Sequence, residues 1–217
     1  MKFNEVTTAA YHGYKQQREF NSSVQSVCSL YSNQIPKGTQ LPFRKLYIEL
    51  HEKLEKPANA KITPGKVVVF RHLFNFPAYW AHTELKRKLM ILDVIKDSII
   101  DLRTLLPFDS QPFELAAERV KALNFIHQGQ IRKPVKSPDR KHSAGLSYDF
   151  KTDGIDILAH FCDKQGKLLK TVTILKLLPD DYFLHHAIGK SKWTDNETFI
   201  LQSRDMKTTA TAHLLEE

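Results

Sequence analysis

The chain has 217 residues, of which 41% are hydrophobic and 26% are charged. These proportions are typical of folded globular proteins, and a chain of this length forms one large domain or two small ones. Extended disorder and fibrous architectures are therefore excluded. The formal net charge is +8. This surplus favours polyanions as partners and indicates nothing about the fold.

The N-terminal twenty residues contain polar or charged side chains every few positions, and this predicts no secretion signal. The most apolar helical stretch, Leu85 to Leu106, carries eight charged residues, too many for a membrane span. The chain has two cysteines, Cys28 and Cys162. Without an export signal we expect both to be reduced thiols. The sequence predicts a cytoplasmic protein that does not contact a membrane.

The positive charge is unevenly distributed. Residues 1–130 carry 18 Lys or Arg against 12 Asp or Glu, residues 131–145 carry five against one, and residues 146–217 carry nine against 11. We call residues 131–145 the basic segment. The cation surplus thus belongs to the first part of the chain and to the basic segment.

Helical periodicity dominates up to about residue 128. A first helix is predicted over residues 7–33, before Pro36 and Gly38. A second is predicted over residues 41–56, because Leu46, Leu50 and Leu54 recur at intervals of four. The β-branched run at residues 67–70 indicates a short strand or the approach to a helix.

A third helix is predicted from Pro77 to Leu106, where Pro107 ends it. Its apolar residues are spaced by three or four from Leu85 onwards, the period of a helix that packs along another helix. The apolar face is wider than a two-position seam, which favours the central helix of a core. Homodimerisation through part of this face is the alternative. A fourth helix follows, from about Asp109 or Ser110 to His127.

The pattern changes after the basic segment. Residues 154–162 alternate between apolar and polar, a turn follows at residues 163–166, and a second apolar run leads to Leu178; together they predict a β-hairpin. A short helix over residues 179–189 and a strand over 198–202 complete the pattern. We therefore predict an α+β fold with a helical N-terminal half, a long central helix and an antiparallel β-rich C-terminal part.

This pattern divides the chain into a helical domain or subdomain (1–130), a linker formed by the basic segment, and a β-rich domain or subdomain (146–217). The basic segment contains two prolines and a closing glycine, so we expect it to be exposed and irregular. Its cations suit phosphate contacts, because each neutralised phosphate releases a counterion. They are Arg132, Lys133, Lys136, Arg140 and Lys141.

A second cluster, Lys86, Arg87 and Lys88, begins the long helix. Successive helical residues point about 100° apart, so these cations are expected to spread over its polar side. Cations at a helix N-terminus oppose the helix dipole, which suggests another benefit such as phosphate binding. The alternative for both clusters is a solvated surface without a ligand.

Local motifs for catalysis or cofactors are incomplete. His160 and Cys162 with His185 and His186 lack the two-residue gaps of zinc knuckles, so we predict no metal site. Gly189-Lys190-Ser191 lacks the earlier glycine of a phosphate-binding loop. We therefore predict no cofactor and no catalytic residue.

The leading hypothesis is a nucleic-acid-binding protein without catalytic activity, with DNA preferred to RNA. The second hypothesis is an assembly component that docks a partner through the Leu85 to Leu106 face. The third is an enzyme whose site combines distant residues. A pocket lined by Asp156, His160 and His185 would favour this third hypothesis.

Overall fold

The chain folds into two compact units, Met1–Ile126 and His127–Glu217, which we call unit 1 and unit 2. The structure is a computed structural model that describes residues 1–54 and 60–215. Each unit has its own hydrophobic core. Among the described residues, no helix combines the length and the apolar character that crossing a membrane requires.

Unit 1 is built on a four-stranded sheet. Its strands are β1 (Glu5–Ala10), β2 (Lys45–His51), β3 (Ala60–Ile62) and β4 (Val67–Leu73), in the order β1-β2-β4-β3. Strands β1, β2 and β4 are parallel, and β3 runs antiparallel to β4. Along β2 the side chains of Leu46, Ile48 and Leu50 are fully buried, while the residues between them are half-buried.

The described part of unit 1 also contains four helices: α1 (Gln17–Gln34), α2 (Phe76–Ala81), α3 (Glu84–Leu105) and α4 (Gln111–Ala122). The inner side of α3 is buried through Leu92, Ile95, Ile99 and Leu102. The predicted core role of this helix is therefore confirmed. Leu85 and Leu105 are more than half exposed. They do not lie on the same face of α3, because a separation of twenty helical residues rotates one side chain about 200° from the other. Homodimerisation through this helix stays a prediction.

The predicted helical N-terminal half is wrong, because this part of the chain contains the four strands of a sheet. Leucines four apart share a face in a strand as well as in a helix, so the spacing of Leu46 and Leu50 does not separate the two. Ile48, buried between them, marks the period of two. Residues 7–10 belong to β1, and α1 begins only at Gln17. Residues 55 and 56 of the predicted second helix lie outside the described residues.

Other elements predicted for the N-terminal half agree better with the structure. Of the two alternatives for residues 67–70, the structure shows the strand, as part of β4. The third predicted helix forms as α2 and α3, separated at His82 and Thr83, which both have extended backbone. The fourth ends at Ala122 rather than His127, because Asn124 and Phe125 adopt positive φ angles of 48° and 58°, which are unfavourable within a right-handed helix.

Over residues 127–215, unit 2 contains two antiparallel sheets and one short helix. The first sheet is a meander of β5 (Gln128–Lys136), β6 (His142–Phe150), β7 (Ile155–Asp163) and β8 (Leu168–Leu177). Helix α5 (Asp181–Ala187) follows, and β9 (Lys190–Trp193), β10 (Thr198–Gln202) and β11 (Thr209–His213) form the second sheet, in the order β11-β10-β9. The β-rich C-terminal part, the hairpin, the short helix and the strand at 198–202 are confirmed.

The basic segment is not irregular; its residues form most of β5, the following turn and the start of β6. Pro134 lies in β5, which is an edge strand, where the missing N–H leaves no ladder partner unsatisfied. The pairing of β5 with β6 shifts register on both sides of Arg132. Gly145 accommodates Pro134, whose Cγ would lie 3.4 Å from a Cβ at position 145.

His72 lies on β4 beside α3, with its Nδ1 3.4 Å from the Ser98 hydroxyl. Burial lowers the pKa of His72 below its ordinary value of 6.5, although Asp97 and Asp101 act in the opposite direction. The unfolded chain therefore binds a proton more readily, so stability should fall as the pH drops below about 6.5. Urea unfolding near pH 7.5 and pH 5.5 should show a larger loss for the wild type than for His72→Gln. Equal losses would contradict this expectation.

Candidate nucleic-acid interface

In unit 2, strand β5 of the first sheet lies beside strand β9 of the second. Both are edge strands of their sheets. Hydrogen bonds link these strands and the residues beside them. The Trp193 indole N–H on β9 donates to the Val135 carbonyl on β5 at 2.9 Å, and the Arg132 guanidinium on β5 donates to the carbonyl of Gly189, just before β9. The contacting residues follow the same order along both strands, from Arg132 and Gly189 to Val135 and Trp193, so β5 and β9 run in the same direction. In the turns that follow the two strands, the Asp139 backbone N–H donates to the Asn196 side chain at 3.1 Å.

Six exposed cations lie on these strands and the adjoining turn, and we call them the basic edge. Within residues 1–54 and 60–215, one of the six forms an ion pair, between Lys141 Nζ and Asp139 at 3.9 Å. Screened pairs of this kind are weak. The members of the basic edge are Lys133 and Lys136 on β5, Arg140 and Lys141 in the turn, and Lys190 and Lys192 on β9.

Three carboxylates lie in the turns that follow β5 and β9: Asp139 after β5, and Asp195 and Glu197 after β9. Asp139 accepts hydrogen bonds from the Ser137 hydroxyl at 2.7 Å and the Lys141 backbone N–H at 3.1 Å, and these bonds lower its pKa. The backbone N–H groups of Glu197 and Thr198 lower the pKa of Asp195 in the same way. Glu197 is exposed. The two aspartates accept hydrogen bonds within their turns, and the six cations of the basic edge outnumber these three carboxylates.

Arg132 differs from the other cations of the basic segment, because its guanidinium holds the Gly189 carbonyl. Gly189 is itself confined: a Cβ there would lie 2.3 Å from the Gln202 carbonyl oxygen and 2.4 Å from that of Ser203. Any larger residue would require the backbone to move. The Arg132 contact therefore joins the two sheets at a glycine that has no room for a side chain.

The predicted cluster at the start of α3 has local partners in unit 1. Lys88 Nζ lies 2.7 Å from Glu84, and 18% of the Lys88 side chain is exposed. The Arg87 guanidinium lies 5.7 Å from the ring centres of both Tyr79 and Trp80, a cation–π geometry. Lys86 is exposed. Two of the three cations are thus engaged within unit 1, and none belongs to the basic edge.

The residues considered for metal binding or catalysis have separate surroundings. His186 lies 3.5 Å from Asp205, and Asp156 lies 2.6 Å from Lys151. His160 hydrogen-bonds to Ser147 and Thr171. Across the described part of the chain, no three His, Cys, Asp or Glu side chains are grouped to hold a metal ion.

A cavity of about 190 Å³ lies in unit 2 next to α5. Its walls come from β8, α5, the second sheet and the loop before β11, and they are mainly apolar. Asp156, His160 and His185 are absent from this lining, so the cavity does not assemble the enzymatic site considered above. It is lined by Leu175, Leu177, Phe183, His186, Ala187, Leu201, Ser203, Thr208 and Ala210.

Sequence reasoning missed Lys190 and Lys192. They lie more than 50 residues beyond Lys136 in the chain, and only the packing of β9 against β5 brings them to the same edge. The sequence offered one local signal: Lys190 and Lys192 are two residues apart, which puts them on the same face if the segment is a strand. Comparison of the chain with protein families, curated proteins and solved structures finds no match.

Proposed function

We propose that unit 2 binds nucleic acid, with DNA preferred to RNA, by contacting phosphates through the basic edge. The observation that supports this proposal most directly is the adjacency of β5 and β9, which gathers six exposed cations from separate parts of the chain. The proposed role is binding alone and includes no catalytic step on the nucleic acid.

The chemistry of the basic edge favours backbone contacts over base readout. Five of its six cations are lysines, which act as flexible point charges, whereas bidentate recognition of guanine commonly uses arginine. Phosphate contacts of this kind give affinity and orientation without sequence information. We therefore expect binding that depends little on base sequence.

The preference for DNA rests on groove geometry. The major groove of B-form DNA is about 12 Å wide and admits protein elements such as strands. The major groove of A-form RNA is deep and narrow, and side chains cannot read it. Duplex RNA is thus expected to bind more weakly than duplex DNA.

Fluorescence anisotropy with a labelled DNA duplex tests the proposal. Six phosphate contacts predict a slope of about −5 for the logarithm of the binding constant against the logarithm of salt concentration. Affinity should then fall about 10³-fold between ~50 and ~200 mM salt. An RNA duplex and a DNA single strand of the same length serve as comparisons. Absence of binding at ~50 mM salt, or binding unaffected by salt, would refute the proposal.

A further inference from the structure

Three polar side chains form a hydrogen-bonded chain on the outer face of the first sheet in unit 2. The Ser147 hydroxyl lies 2.6 Å from His160 Nε2, and His160 Nδ1 lies 3.0 Å from the Thr171 hydroxyl. These residues lie on β6, β7 and β8 and alternate with buried side chains such as Leu146 and Ala159. Ser147 and His160 are partly exposed, and Thr171 is exposed.

The orientation of the imidazole is well defined by its neighbours. Both ring nitrogens face hydroxyl oxygens, and turning the ring by 180° would place carbon atoms against them. With the proton on Nδ1, His160 donates to Thr171 and its Nε2 accepts the Ser147 hydroxyl proton. This order of contacts, from serine to Nε2 and from Nδ1 to an acceptor, is the one used by serine hydrolases.

We infer that Ser147 is an activated nucleophile for carboxylic esters, with His160 as its general base and Thr171 as a positioning residue. Thr171 orients the ring through its hydrogen bond with Nδ1. As a neutral hydroxyl, it offers less stabilisation to a forming imidazolium than a carboxylate does. The site is therefore suited to esters with good leaving groups.

Ser147 Oγ attacks the ester carbonyl carbon while its proton moves to His160 Nε2. The bond between the carbonyl carbon and the leaving alkoxide breaks, and His160 returns the proton to that alkoxide. Water then attacks the acyl-serine by the reverse proton route and releases the carboxylic acid.

The site is open to solvent, because Ser147 and His160 are partly exposed and Thr171 is exposed. Pro134 lies over Gly145, the β6 partner of His160, and its Cγ would be 3.4 Å from a Cβ at that position. The competing interpretation is a polar ladder that stabilises the sheet face without reacting. Reactivity separates the two.

The test is covalent labelling of the whole folded chain with a fluorophosphonate probe, followed by peptide mass spectrometry. The probe should modify Ser147, whose oxygen would displace fluoride from phosphorus. Ser143 provides an internal control, because it lies on the same strand and face with similar exposure. Among the described residues, no imidazole hydrogen-bonds to the Ser143 side chain. Labelling should strongly favour Ser147 over Ser143.

Variants then assign the roles. Ser147→Ala should abolish labelling and any hydrolysis of p-nitrophenyl acetate above background. His160→Gln should slow labelling about 100-fold, the lower range for loss of a general base. Thr171→Val should slow it less, and Thr171→Ser should restore the wild-type rate, which a purely structural role would not predict.

Two results would overturn the inference: no labelling of Ser147 in the folded wild type, or equal labelling of Ser143 and Ser147. An unchanged rate in folded His160→Gln would remove His160 as the base. If that variant does not fold, the comparison of the two serines in the wild type still decides the question. DNA binding does not enter this test, so the two proposals succeed or fail separately.

Discussion

Replacing Lys133, Lys136, Lys190 and Lys192 together by Gln is expected to weaken DNA binding about 10⁴-fold at ~50 mM salt. Each phosphate contact releases nearly one counterion, so four lost contacts remove about an order of magnitude each at this salt concentration. The slope against salt should flatten from about −5 to about −2, because Arg140 and Lys141 remain. Anisotropy titrations at several salt concentrations measure both changes.

Replacing these four lysines should change DNA binding without changing the stability of the fold. All four lysines are exposed, and exposed substitutions usually change stability by less than about 0.5 kcal/mol. Arg132 stays in place because its guanidinium joins the two sheets through Gly189. Including it would confuse lost affinity with lost structure.

A matched control changes the net charge equally in unit 1. The lysines at positions 15, 37, 53 and 61 are exposed, and replacing them by Gln also removes four positive charges. This variant should keep most of the affinity if the basic edge carries the contacts. Equal losses in both variants would show that overall charge matters rather than this edge.

The largest expected effect on stability is in the core of unit 2. Phe161 is fully buried, and its ring centre lies 5.5 Å from that of Trp193 and 6.5 Å from that of Phe199. Phe161→Ala removes the ring and leaves a cavity between the two sheets. It should therefore lower the free energy of unfolding of unit 2 by about 3–5 kcal/mol. Typical domains are stable by only about 5–15 kcal/mol, so little stability would remain.

Urea unfolding followed by Trp193 fluorescence measures this loss. Trp80→Phe is introduced in every variant, so that Trp193 alone reports on unit 2. Tyr182→Ala is the control, because Tyr182 is an aromatic residue of the same unit with 68% of its surface exposed. Its replacement should cost less than about 1 kcal/mol. A similarly small loss in Phe161→Ala would contradict the assignment of Phe161 to the core.

Four of the six cations in the proposed interface were visible in the sequence. Lys133, Lys136, Arg140 and Lys141 are close in the chain, so charge counting finds them. The roles of individual cations depend on neighbours that the chain supplies from elsewhere. Arg132 contacts Gly189, and Arg87 lies over Tyr79 and Trp80. No local pattern distinguishes these engaged arginines from exposed lysines.

The hydrogen-bonded chain in unit 2 shows the same limit. The alternation along β7 places His160 on the outer face, and this follows from the sequence alone. Ser147 and Thr171 come from the neighbouring strands, and their registers with β7 bring both hydroxyls to the imidazole. Register depends on backbone pairing across strands, which residue spacing within one strand does not determine.

By itself, the sequence determined the elements whose periodicity is unambiguous, such as α3, the β7 and β8 hairpin and β10. The spacing of apolar residues is enough to identify these elements, because a helix and a strand that bury one face repeat their apolar residues at different intervals. Only the tertiary structure decided that residues 45–51 form a central parallel strand, because a strand is stabilised by partners distant in the chain. It also decided which cations share an edge, since that depends on how the two sheets of unit 2 pack.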